Sequence, residues 1–387
     1  MARICIIHWS FSSSLGGAEK LCIETIRALE KAGHDVDLVA ISRLDHRLLR
    51  QRFATDARTN NEIAILPSIS LPTIYSVFMN WFLRDIIMIP YLKRNYQLTI
   101  NTGPLLPISF TDLMYLQDYP GRLQLYGKYR KGVWRAYSLL HDIMIDVLVG
   151  LFNRIKKMPI LLTNSLFNKW AIENYLHGKA YVLYPPVQID DHINLSKISN
   201  RENIVLTISR IDESKGLDLV PRIAERTSDA KFVIIGSLGS ERCLHEINSI
   251  IRNLQLIDRV VVVPNVSEEM KKILLSKAKI YLHTSQYEPF GISVVEAMAS
   301  GLVPLVYKSG GPWIDILCEK QGVYGYGYED VRSCANLVND ILNDDSLRMQ
   351  VVQRSIERSK IFEDRTFRKN LVMIVEEALR LNSLTDF

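Results

Sequence analysis

The chain has 387 residues, of which 48% are hydrophobic and 23% charged, with a net charge of +5. That length is large for a single hydrophobic core and predicts two domains, and the composition excludes a disordered or fibrous chain. The five cysteines (Cys5, Cys22, Cys243, Cys318, Cys334) are scattered, odd in number and never spaced Cys-x-x-Cys, which argues for a reducing compartment and against a zinc site or disulfide framework.

Residues 3–8 predict a short buried strand rather than a signal peptide, because the apolar run is too short. A serine-rich loop follows, and Gly16-Gly17 open a helix through Leu21, Ile26 and Leu29 that stops at Gly33. A glycine pair between strand and helix lets a ligand approach the backbone; a plain tight turn is the other reading. Residues 36–41 predict the second strand. The Asp35-Val36-Asp37 run lies at the wrong end of the sheet for a metal-binding Asp-x-Asp pair and reads as solvated surface. Residues 71–96 carry helically spaced Ile74, Val77, Phe78, Trp81 and Phe82. Core packing explains such a stripe, and a lipid groove or membrane face is the alternative. No segment reads as membrane-spanning: Arg84, Asp85 and Pro90 interrupt this one, and Asp142 and Asp146 interrupt 133–158.

Residues 98–101 and 113–116 predict strands, the latter followed by the turn Gln117-Asp118-Tyr119-Pro120. Residues 121–135 hold Arg122, Lys128, Arg130, Lys131 and Arg135 with no acidic residue, interleaved with aromatics. They read as a solvated loop or as a surface for an anionic partner; no nucleic-acid motif accompanies them. A strand at 160–164 ends in Thr163-Asn164-Ser165, a cap for the next helix. Residues 181–184 and Pro185-Pro186 close the first domain, and the polar segment 188–203 reads as a linker.

A strand at 204–209 leads into Arg210-Ile-Asp-Glu-Ser-Lys215-Gly216 and a helix from Leu217. Two cations on a strand-to-helix turn can flank a diphosphate; a surface ion pair with Asp212 or Glu213 is the alternative. Strands at 231–235, 260–263 and 280–283 alternate with helices. Then come a loop with Glu288, Pro289, Phe290 and Gly291, a helix at 292–300, a strand at 302–307 and the turn Lys308-Ser309-Gly310-Gly311-Pro312. Backbone N–H groups around Phe290, Gly291 and Ile292 lie at the positive end of a helix dipole, where an anion binds. Glu288 and Glu296 bracket that position, and carboxylates accept paired sugar or ribose hydroxyls. The combination fits a nucleotide-sugar diphosphate. Residues 365–381 predict a final helix.

The segment from Glu288 through Pro-Phe-Gly-Ile-Ser-Val-Val to Glu296 resembles the Glu-x7-Glu signature of the family 4 retaining glycosyltransferases. Gly301-Leu-Val-Pro and Ser309-Gly310-Gly311-Pro312 continue the pattern. The Gly-Gly-Pro-Trp-Ile-Asp-Ile run is closest to the dolichol-pathway α-1,2-mannosyltransferase branch. Gly16-Gly17, His8 and the Arg210–Lys215 turn resemble family positions too. Asp118 departs from the pattern: the family has a histidine there that contacts the transferred sugar, whereas an aspartate adds negative charge near a diphosphate.

The resemblance implies an α/β chain with the GT-B fold, two Rossmann-like domains with parallel sheets facing a central cleft. Residues 1–187 would form the acceptor-side domain, 204–364 the nucleotide-sugar domain, and 365–387 a helix crossing back to the first. It implies sugar transfer, with retention, from a nucleoside diphosphate sugar to a glycan or lipid-linked acceptor; the branch implies mannose from GDP-mannose. Glu288 would hold sugar hydroxyls, Glu296 the ribose, and Arg210 and Lys215 the diphosphate, with no metal and no cofactor. The expected placement is cytoplasmic, peripheral on the inner face of a membrane. A transferase for a soluble acceptor, a nucleotide-sugar epimerase and a non-catalytic nucleotide-sugar binder are the rival readings.

Overall fold

Short apolar runs recur along the chain, and most of the strands they form are largely buried, as in a parallel sheet covered on both faces. The computed structural model describes residues 1–8, 16–40, 46–47, 59–64, 94–103, 111–117, 159–176, 178–198 and 200–385, with a few single positions between. Contacts divide these residues into two units. One runs from Met1 to Pro186 and takes in the chain from Asp364 onward; the other is Val187–Glu363.

The first unit contains β1 (Arg3–Ile7), α1 (Gly17–Lys31), β2 (Asp35–Ala40), β3 (Asn61–Ala64), β4 (Leu98–Asn101), β5 (Leu113–Leu116), β6 (Ile160–Thr163), α2 (Leu166–Leu176) and β7 (Ala180–Val182). The sheet order is β3-β2-β1-β4-β5-β6-β7, and every pairing is parallel. Ser165 caps α2 as its position implied, its hydroxyl accepting from the Asn168 N–H at 3.0 Å. Strand β3 carries no sequence signal of its own: Asn61-Glu-Ile-Ala is polar and mostly exposed, and pairing with β2 alone makes it a strand.

Asp37 corrects the reading of Asp35-Val36-Asp37 as solvated surface. Only 2% of Asp37 is exposed. Its carboxylate accepts from Tyr96 at 2.6 Å, Asn61 at 2.9 Å and Arg3 at 3.1 Å. Burial alone would raise its pKa; these three bonds outweigh it and hold the group below the usual aspartate range. The surface reading failed because partners far away in sequence converge on a strand residue.

The second unit contains α3 (Asp190–Ser196), β8 (Glu202–Ile208), α4 (Leu219–Ala224), β9 (Lys231–Gly236), α5 (Glu241–Asn253), β10 (Val260–Pro264), α6 (Glu268–Lys277), β11 (Ala278–Leu282), α7 (Ile292–Ala299), β12 (Val303–Tyr307), β13 (Tyr326–Tyr328), α8 (Val331–Asn343) and α9 (Asp345–Ser359). Its sheet runs β10-β9-β8-β11-β12-β13, again all parallel. Order reverses between β8 and β11, the switch point outside which ligands bind in such sheets. Val205, Phe232, Ile234, Ile280, Leu282 and Leu305 form the centre of its core. The polar stretch 188–203, read as a linker, instead contains α3, whose buried His192 lies 2.9 Å from the Ser300 hydroxyl.

The last helix, α10 (Asp364–Thr385), belongs to the first unit. There Phe367, Leu371 and Val375 join Leu21, Ile26 and Leu38 in one core, and Arg368 bonds Glu24 at 2.9 Å. No described helix is long and apolar enough to cross a membrane. Most of 71–96, all of 121–135, and with them Asp118, Arg122, Lys128, Arg130 and Lys131 lie outside the described residues.

Candidate active site

Two loops meet at the switch point of the second sheet, one after β8 and one after β11. The first passes through Arg210 and Asp212, makes a single 3-10 turn over Glu213–Lys215, and turns at Gly216. The helix expected from Leu217 starts at Leu219 instead, because this turn takes up the preceding residues. Gly216 has φ +63°, and a Cβ there would lie 2.9 Å from the Thr284 carbonyl oxygen. Only glycine allows both the left-handed turn and that approach. Thr284, on the second loop, donates its hydroxyl to the Lys215 carbonyl at 2.7 Å and ties the loops together.

Lys215 then reaches across to Glu288. Its Nζ donates to Oε2 at 2.8 Å, and the Nε2 of His283 stands 3.6 Å from the same oxygen. The carboxylate is mostly buried, 19% exposed. Burial works to raise its pKa, but the Lys215 charge and then His283 outweigh burial and bring it down to about 2. Arg210 pairs with Asp212, the surface ion pair that the sequence left open, and the Arg210 side chain is 55% exposed.

The loop that carries Glu288 is clamped from behind by the turn after β12. Gly311 donates its N–H to the Glu288 carbonyl at 2.9 Å, and Ser309 donates to the Gln286 carbonyl. A Cβ on Gly311 would fall 2.2 Å from the Pro289 carbonyl oxygen, so this contact needs glycine. Phe290 is buried edge-on against Phe362, with ring centroids 5.4 Å apart. Gly291, at φ +96°, is the N-cap of α7, and no side chain caps that helix start. Ile292 is its first residue. The positive end of the α7 dipole thus lies next to Glu288 in the chain.

Glu296 sits in the second turn of α7 and is 9% exposed. Lys271 of α6 holds it at 2.9 Å. Burial would lower the Lys271 pKa; Glu296 and Glu268 outweigh that and raise it. The Tyr281 hydroxyl ties the α7 start to β8, bridging the Ile208 carbonyl and the Ser293 hydroxyl.

The structure thus brings Lys215 and Glu288 together, with Arg210 on the same turn as Lys215 and Phe290, Gly291 and Ile292 on the loop and helix that continue from Glu288. Gly16 and Gly17 belong to the other unit, where the Gly16 N–H donates to Glu19 at 2.7 Å and Gly17 begins α1. Two neighbours of the carboxylates, His283 and Lys271, were missed by sequence reading. In the sequence His283 is only the end of a strand, and Lys271 sits on an ordinary charged helix face. Among the described residues no cluster of three or more His, Cys, Asp or Glu could hold a metal ion.

A family model described as Glycosyl transferases group 1 matches residues 188–358. The human GDP-Man:Man(3)GlcNAc(2)-PP-Dol alpha-1,2-mannosyltransferase is 24% identical over 234 residues, covering 56% of this chain and 47% of the relative. The enzyme of the same name from Dictyostelium discoideum is 23% identical over 224 residues, covering 52% of this chain and 44% of the relative. The chain thus spans about half the length of the curated relatives it matches. Among solved structures, sucrose-phosphate synthase from Thermosynechococcus elongatus superposes with a TM-score of 0.73 at 16% identity, over 98% of this chain and 100% of the other. An Anabaena protein solved in complex with UDP and glucose gives a TM-score of 0.68 at 17% identity, over 96% and 99%. At those identities the superpositions show the fold, which is the α/β, two-sheet architecture expected from the sequence. Residues 188–358 of this chain are a group 1 glycosyltransferase domain, carried on the GT-B fold.

Proposed function

We propose that the chain is a retaining glycosyltransferase that moves mannose from GDP-mannose to a lipid-linked glycan acceptor. The observation that carries the transferase reading is the Lys215–Glu288 pair at the switch point of the domain that matches the family. A carboxylate held ionised beside a lysine and a helix N-terminus suits a ligand that combines sugar hydroxyls with a diphosphate. Mannose and the lipid-linked acceptor rest on the relatives' names and on the sequence motif.

In this reading Glu288 accepts the hydroxyls of the transferred sugar and Glu296, held by Lys271, those of the ribose. Arg210, Lys215 and the N–H groups at Phe290, Gly291 and Ile292 face the diphosphate. By the family resemblance, Gly16 and Gly17 are donor-binding positions, and Asp118 stands in place of the histidine that contacts the transferred sugar. The bond from the anomeric carbon to the diphosphate breaks, and the bond to the acceptor oxygen forms on the same face. The acceptor's proton passes to the departing phosphate. Positive charge on the leaving group lowers the barrier because the group's negative charge grows in the transition state.

The Anabaena structure's UDP and glucose favour a second donor, a uridine diphosphate sugar. Turnover of guanosine and uridine diphosphate sugars, each with and without a lipid-linked acceptor, tests both. Transfer of mannose from GDP-mannose to the lipid-linked acceptor is the expected result. Transfer from UDP-sugars alone replaces the donor, transfer to a soluble sugar replaces the acceptor, and an altered sugar released without any acceptor makes the protein an epimerase. No turnover of any donor would leave a binding protein.

A further inference from the structure

Lys215 has two anions to serve. In the structure it neutralises Glu288, and in the transferase reading, on which the following rests, it must also meet a diphosphate. A diphosphate carries more charge than a carboxylate, and only the Lys215 backbone is pinned, by Thr284. The ammonium on its flexible four-carbon stem is free to turn toward the stronger anion. Glu288 would then be a largely buried carboxylate deprived of its cation, and burial favours the protonated form. A protonated Glu288 would lose its charge and part of its acceptor capacity, and would hold the sugar hydroxyls more weakly.

Among the described residues one other basic group lies within ion-pair range of that carboxylate, and it is His283. Its backbone is fixed on both sides. The N–H donates to the Leu305 carbonyl at 2.8 Å, and the carbonyl accepts from the Tyr328 hydroxyl at 2.8 Å. The ring is buried, and its Nδ1 has no hydrogen-bond partner among the described residues. A buried bare acceptor costs less than a buried orphaned donor, so the ring proton belongs on Nε2, facing Glu288. At 3.6 Å the contact is too long for a hydrogen bond while Lys215 occupies the same oxygen. Such contacts tighten when a ligand completes the site.

We propose that His283 is a positioning residue that takes over Glu288 when Lys215 turns to the diphosphate. It keeps the carboxylate oriented as an acceptor through the transfer step. It touches neither the sugar nor the diphosphate itself.

The test uses the full chain with His283→Gln, whose amide N–H reaches the place of Nε2, and His283→Asn, whose shorter amide does not. With a nucleoside diphosphate sugar that the wild type consumes, the Asn variant should lose about tenfold or more in kcat, with the donor KM within about threefold. The Gln variant should recover most of that loss. Equal losses in both variants would assign His283 to packing and overturn the proposal.

A second arm needs no turnover. In a double-mutant cycle with Glu288→Gln, read by thermal unfolding with a saturating nucleoside diphosphate, the His283→Asn and Glu288→Gln losses should be non-additive. Additive losses overturn the contact. If the wild type consumes no donor at all, the transferase reading falls, and the cycle alone decides whether His283 and Glu288 are coupled.

Discussion

Glu288 is a carboxylate whose surroundings keep it charged. From its position in a loop before a helix, its removal should cost little stability; its burial against Lys215 and His283 changes that. A folded pKa near 2, against an ordinary value of 4.5, corresponds to about 3 kcal/mol favouring the folded state. Because the folded value is depressed, that contribution is complete above about pH 4.5 and is lost as pH falls toward 2. Glu288→Gln should therefore melt below the wild type by a constant margin from pH 7 to 5, and the margin should close in stronger acid. A margin that widens in acid would show that another group sets the balance. The same variant should lose more than about tenfold in turnover, a loss of at least roughly 1.4 kcal/mol of transition-state stabilisation. Retention of more than a tenth of wild-type activity would remove Glu288 from the proposed role.

At the level of elements, the site depends on where α7 ends as well as where it starts. Arg201 lies under the helices α3, α6 and α7 and donates to the carbonyls of Leu195, Leu275, Ala278 and Ser300. No carboxylate is among these partners. Burial pushes its pKa down to about 10, so it remains a cation at neutral pH, and it neutralises the negative ends of three helix dipoles. Arg201→Ala leaves those carbonyls without their donor. It should destabilise the protein by about 2–4 kcal/mol, seen as a lower urea midpoint with an unchanged slope. Arg201→Lys should restore less than half, since an ammonium cannot span four acceptors as a planar fork does. Full restoration by lysine would mean that charge alone, not geometry, is what the three helix ends require.

At the scale of the whole molecule, charge decides what the protein meets. Activity should survive excess chelator, because the proposed diphosphate has Arg210, Lys215 and a helix N-terminus to compensate it. A strict requirement for magnesium or manganese would show that this compensation is misassigned. The acid-free run 121–135 leads to a second expectation. Each basic residue near an anionic bilayer contributes on the order of 1 kcal/mol, so the protein should bind anionic vesicles at low salt. Replacing Arg122, Lys128, Arg130 and Lys131 with glutamate should release it and cut transfer to a lipid-linked acceptor, while slow donor hydrolysis continues. Wild-type protein that ignores such vesicles and serves a soluble sugar equally well would discard the lipid-linked acceptor.

The sequence by itself determined most of the strands of the parallel sheets, because strands covered on both faces read as short apolar runs between polar turns and helices. It also marked Glu288, Arg210 and Lys215, since the turns that carry them are local and their glycines are readable. Tertiary structure alone decided which charges meet. Lys215 and Glu288 are 73 residues apart. Whether Lys215 faces solvent or a carboxylate depends on β8 and β11 lying side by side, which no local pattern states. The same holds for Asp37, whose partners come from three separate segments, and for the polar strand β3, which exists only because β2 offers it an edge. His283 shows the limit most plainly. One histidine at a strand end carries no signal, and its meaning arises only when a buried carboxylate is placed beside it.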